Sequence, residues 1–187
     1  MNLTINHLIH TTMKRTIKRG LVKTMYEALA ELPLGHLTSE DLEKVMDNMY
    51  AFLPIKENAQ KLLEELNKRL FEGVSKEDID AYNSIQVMID GAQSQEKKVS
   101  YIKVRKEKYP QIYELVIKQN KIIGALLNKD VEVEVSEMDK KVFIKAILKG
   151  NPNIPTAEFD LFEPMFVAEE KKETETDFSE LDELMAE

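Results

Sequence analysis

The chain has 187 residues, 43% of them hydrophobic and 32% charged, with six Gly, six Pro and no Cys. That composition suits one ordinary core, favours helix over sandwich or barrel, and excludes disulfides, thiolate metal sites and cysteine nucleophiles. The formal net charge is −8, but residues 168–187 hold nine acids against Lys171 and Lys172, so −7 belongs to the tail and −1 to everything before it; this argues against an acidic DNA-mimicking surface spread over the whole body.

In chain order, Leu3 and Ile5 alternate with polar neighbours and predict a short strand over 2–6, able to pair with Val131–Val135. From His7 the spacing turns helical: Leu8, Ile9, Met13, Ile17, Leu21, Met25, Ala28, Leu29 and Leu32 recur at threes and fours. The opposite side of that helix would carry Lys14, Arg15, Lys18, Arg19 and Lys23, a basic face for phosphate, an anionic membrane or an acidic peptide, or simply a solvated surface. No aromatic residue interleaves these cations, as base stacking would require. No secretory signal is expected at the N-terminus, because charges begin at Lys14.

Pro33 and Gly35 break the helix, and Thr38 with Asp41 starts another, expected to end before Pro54. Leu42, Val45, Met46, Met49, Phe52 and Leu53 form its expected buried stripe. A separate helix with Ala59, Leu62, Leu63, Leu66 and Leu70 is then closed by Gly73. Ser75 with Asp78 opens the next, carried by Ile79, Tyr82, Ile85 and Ile89. Residues 93–108 are polar and basic around Val99, Tyr101, Ile102 and Val104, a pattern open between loop, edge strand and continued helix.

From Pro110 to Gly150 the chain reads helix, strand, helix. Ile112, Leu115, Val116, Ile122, Ile123, Leu126 and Leu127 make one apolar face, and Asn128 is expected to end that helix in the left-handed conformation. Val131, Val133 and Val135 alternate with Glu132 and Glu134 as a half-buried strand. Ser136 with Asp139 resembles a capping box for the helix closed by Gly150. Phe159, Phe162 and Phe166 then imply a segment docked on the body. Residues 168–177 hold too little apolar surface to offset their ordering entropy, whereas Phe178, Leu181, Leu184 and Met185 fall on one helical face among acids.

The predicted fold is therefore mainly α: a helical bundle with a minor short β element, its candidate strands near 2–6 and 131–135. One helical domain spans 1–167, and 168–187 is an acidic flexible tail with a C-terminal amphipathic segment. No run approaches 18 uncharged apolar residues, so no span of a membrane is expected. The only histidines are His7, His10 and His36, without His-Glu-x-x-His spacing, and no phosphate-cradling or nucleophile-elbow motif occurs. No catalytic residue, cofactor or metal is predicted.

The order of parts, Met-Asn-Leu-Thr-Ile-Asn leading into helices and then Leu-Leu-Asn-Lys-Asp-Val-Glu-Val-Glu-Val-Ser-Glu followed by a helix, resembles small uncharacterised proteins encoded near the tail genes of tailed bacteriophages. It covers the first ten residues and 109–166; the long helical region 36–95 and the acidic terminus depart from it. The resemblance implies a phage context and no catalytic residues. The expected function is non-enzymatic binding of another protein in the cytoplasm, as a phage accessory or assembly factor. Its expected contacts are the tail positions Phe178, Leu181, Leu184 and Met185 and the basic face Lys14, Arg15, Lys18, Arg19 and Lys23. The alternatives are inhibition of a host nucleic-acid enzyme by a phosphate-mimicking tail, and nucleic-acid binding through the basic faces.

Overall fold

The computed structural model describes residues 12–167, in the order β1 (Thr12–Lys18), α1 (Arg19–Glu31), a 3-10 turn (Leu34–His36), α2 (Ser39–Leu70), α3 (Lys76–Asp90), α4 (Gln95–Lys108), α5 (Pro110–Leu127), β2 (Asp130–Ser136), α6 (Lys140–Gly150) and a 3-10 segment (Thr156–Met165). The fold is mainly α with a minor two-stranded antiparallel sheet. The strand expected near 131–135 is β2. Its partner is β1, whereas the strand proposed over 2–6 lies outside the described residues.

β1 corrects the expected helix from His7, which begins only at Arg19. The register pairs Met13 with Val135, Arg15 with Val133 and Ile17 with Val131, while Lys14 faces Glu134 and Lys18 faces Asp130. The same residues that recur at helical spacing thus also alternate, and the matching branched and acidic faces of β2 decide between the two readings. Lys18 Nζ lies 2.7 Å from Asp130 Oδ1.

The main core sits between this sheet, α1, the first half of α2, α6 and the 3-10 segment. Ile17, Val22, Met25, Leu29, Val45, Phe52, Val133, Val135, Met138, Phe143, Ile147, Phe159, Phe162, Met165 and Phe166 pack there as one cluster. Phe143 is its centre: the rings of Phe159, Phe162 and Phe166 lie 6.2, 5.8 and 5.6 Å from it, so the aromatic segment does dock on the body. Backbone bonds from Met138 N–H to Met165 and from Val167 N–H to Met138, both 3.0 Å, fasten its end beside β2.

Asn48 ties helix to sheet. Fully buried on α2, its Nδ2 donates to the Ser136 carbonyl at 2.9 Å, and its Oδ1 accepts the Ser136 N–H at 2.7 Å. One side-chain amide thereby serves both backbone groups at the end of the two-stranded sheet.

α2 runs unbroken for 32 residues through Pro54, which corrects the expected split. Proline removes the N–H that the Tyr50 carbonyl would accept, but both residues are exposed, so the lost bond is not one that burial makes costly. Phe52 and Ala59, buried on the other side, hold the axis across the gap. Gly73, with φ +81°, makes the turn into α3. Thr38 and Ser75 cap α2 and α3, each accepting an N–H at 3.1 Å, as expected.

Two local expectations are corrected, and α6 ends at Gly150 as expected. Asn128 ends α5 in the right-handed conformation, at φ −80°. Ser136 completes β2, and Asp139 itself caps α6, accepting from the Val142 N–H at 2.9 Å. Gly150 is needed for a close approach: a Cβ there would lie 2.8 Å from the Pro33 Cβ.

Candidate interaction surface

α3, α4, α5 and the second half of α2 form an arm outside the main core, with Ala59, Tyr82, Ile89 and Ile112 as its buried apolar residues. α4 is its least embedded part. None of its residues is buried, whereas each other α-helix among the described residues buries at least one. The segment left open between loop, strand and helix is helical because Ser94 accepts the Lys97 N–H at 3.3 Å. Glu96 in the first turn and Arg105, Lys106 and Lys108 in the last also oppose the helix dipole.

Arg105 latches α4 to α3. Its guanidinium carbon lies 4.7 Å from the Tyr82 ring centroid, and Nη1 donates to Gln86 Oε1. Tyr82 is 3% exposed and packs edge-on against Tyr109, with centroids 6.4 Å apart. Its hydroxyl has no hydrogen-bond partner among the described residues. Burial pushes the phenol above its ordinary range, a shift that the nearby Arg105 charge opposes. Tyr82 also lines a cleft of about 370 Å³ with Asn67, Asn83 and Gln119, floored by Ile79, Ile112 and Val116.

On α4, exposed Lys97, Val104 and Lys108 and half-buried Tyr101 are spaced so that the order Lys97, Tyr101, Val104, Lys108 runs four, three and four apart along one face. Val104 is 45% exposed, and Met88 of α3 is 48% exposed. Lys97, Tyr101 and Met88 line one groove with Gly91, Ala92 and Gln93, about 380 Å³ in volume. A cation thus stands at each end of a short apolar strip. Lys103 pairs with Glu107 at 3.8 Å; among the described residues, Lys97, Lys98, Lys106 and Lys108 have no carboxylate at ion-pair distance. Lys106 and Lys108 lie over the Tyr113 and Tyr109 rings, 5.7 and 5.3 Å from their centroids.

The basic face expected on the first helix is not one face. Lys14 and Lys18 project from the outer side of the sheet towards Glu134 and Asp130, and Arg15 turns inward to an ion pair with Glu137. Arg19 Nη1 donates to the Leu126 carbonyl at 3.4 Å, and Lys23 pairs with Glu27 at 2.8 Å. Glu137, Asp130 and Glu27 thus pair with Arg15, Lys18 and Lys23, whereas Lys97, Lys98, Lys106 and Lys108 of α4 have no such partner among the described residues. The other predicted contacts, Phe178, Leu181, Leu184 and Met185, lie outside the described residues, as do His7 and His10. Among the described residues no three His, Asp or Glu side chains gather as a metal site would need, and no helix is long and apolar enough to cross a membrane.

No family model, curated protein or solved structure matches this chain.

The cations of α4 were visible in sequence, but not their division into one latch and several free charges. Tyr82 signalled itself only as one apolar position of α3. The signal that finds the pair is an aromatic residue in a buried stripe opposite an Arg on a helix that buries nothing.

Proposed function

We propose that this is a non-enzymatic protein-binding protein of the accessory or assembly class that tailed bacteriophages encode, acting in the host cytoplasm. Its contact surface is the α3–α4 groove. The observation that supports this is the face of α4 itself: half-buried Tyr101, which lines the groove with Met88, and exposed Val104, set between Lys97 and Lys108, neither of which has a carboxylate at ion-pair distance among the described residues. The chemistry that fits such a strip is an acidic amphipathic helix, its apolar residues laid in the groove and its carboxylates at the two lysines. Charged lysines at the rim steer encounter, and the apolar strip supplies the contact that persists.

A photoreactive side chain in place of Val104, introduced in the cells that make the protein, tests this reading. It is expected to capture one defined protein, and that protein, once purified, to bind the wild-type chain in a salt-sensitive manner and to lose at least about tenfold in affinity to Met88→Asp/Val104→Asp, an interfacial loss of roughly 1.4 kcal/mol or more. Capture of nucleic acid at this position, or equal binding to the double variant, would overturn it.

A further inference from the structure

Residues 168–187 carry the chemistry that the α4 face lacks. Phe178, Leu181, Leu184 and Met185 are spaced for one side of a helix, and Glu180, Asp182, Glu183 and Glu187 are interspersed with them. The segment's −7 meets a helix in which Lys97, Lys98, Lys103, Arg105, Lys106 and Lys108 stand against only Glu96 and Glu107. We propose that the α3–α4 groove is occupied in the free protein by this chain's own acidic segment, 178–185, which lies between Met88 and Tyr101 with its carboxylates at Lys97 and Lys108, and which a partner must displace.

The inference rests on the proposed reading of the groove as a contact surface and adds its regulation. The tether is the ten residues 168–177, which extend to about 33 Å. Tethering raises the effective concentration of the segment at the groove to the millimolar range, so a contact too weak to hold a free peptide suffices in cis. Displacement then costs a partner the same factor, which confines binding to partners of better apolar fit or higher acidic charge. The groove would thereby be kept from adventitious acidic helices.

The chain has no cysteine, so introduced thiols report without interference. Full-length Met88→Cys/Leu184→Cys is compared with Tyr50→Cys/Leu184→Cys, whose first thiol replaces an exposed residue of α2. Both are oxidised at about 1 μM, where intermolecular bridging is slow relative to a cis contact. The 88–184 pair is expected to close within one chain at least tenfold faster than the 50–184 pair, and adding Lys97→Glu/Lys108→Glu should abolish that advantage. Further replacing Glu180 and Glu183 by Lys should restore it. Equal closure rates for the two pairs would overturn the inference, as would bridging found only between chains, which would assign the groove to the segment of a second copy. Failure here, with a captured partner still bound at Val104, removes the cis contact and leaves the proposed function standing; capture failing while cis closure succeeds does the reverse.

Discussion

Removing the Asn48 amide should unfold the protein from its sheet outward. Asn48→Ala deletes two hydrogen bonds at once, at 2.9 and 2.7 Å, and leaves both the N–H and the carbonyl of Ser136 buried without a partner. Each such group costs about 1–3 kcal/mol, so the summed loss is roughly 2–5 kcal/mol, partly relieved if water enters the space vacated. With a urea dependence of about 2 kcal/mol per molar, the midpoint of unfolding should fall by ~1–2.5 M at unchanged slope. Asn48→Asp separates the two bonds: it keeps an acceptor for the Ser136 N–H, loses the donor to the carbonyl, and adds a buried charge above the carboxyl's titration. Its deficit relative to wild type should therefore shrink as the pH falls. Urea titrations of the three proteins at neutral and acidic pH, followed by helix dichroism, would measure this. A loss below about 1 kcal/mol for Asn48→Ala would refute the reasoning, because it would mean that Ser136 finds other partners.

Tyr82→Phe removes a buried hydroxyl that has no partner among the described residues, so it should leave stability unchanged or raise it by up to about 2 kcal/mol; a thermal melt showing clear destabilisation would reveal a bond to that oxygen. The same phenol is held above its ordinary value of 10.0, so the folded state retains the proton that the unfolded chain gives up. Stability should be full below pH 10 and decline as the pH rises beyond it, and Tyr82→Phe should reduce that alkaline slope. Pro54→Ala supplies the missing helical bond at an exposed position and is expected to stabilise by ~1–3 kcal/mol; a decrease would show that the packing around Phe52 depends on the proline. Gly150→Ala places a Cβ 2.8 Å from Pro33 and should cost ~1–3 kcal/mol by denaturant titration, with Pro33→Ala in the same chain recovering part of it.

The parts of the fold legible in sequence are those where a local pattern and its tertiary use coincide. Val131, Val133 and Val135 alternate and are one face of β2; Thr38 and Ser75 cap helices by bonds to their own third neighbours; Phe159, Phe162 and Phe166 close on Phe143. β1 was not legible, because Met13 and Ile17 also fit a helical stripe and only the acids of β2, more than a hundred residues later, select the strand. Pro54 misled because the rule against proline in helices concerns a lost bond, and at an exposed turn that loss is not one that burial makes costly. Asn48 is polar within an apolar stripe, and nothing near it in sequence points to Ser136. At the candidate surface the cations were countable, but their neutralisation was not: Lys18 and Lys23 find acids, while Lys97 and Lys108 find none among the described residues.

The most direct measurement of whether this protein works by contact through α4 is calorimetric titration of the partner captured at Val104 into wild type and into Lys97→Glu/Lys108→Glu, at two salt concentrations. Reversal of the two charges is expected to weaken binding at least tenfold and to flatten its salt dependence, with the helix content of the chain unchanged. Equal affinity and equal salt dependence in the two proteins would contradict the account.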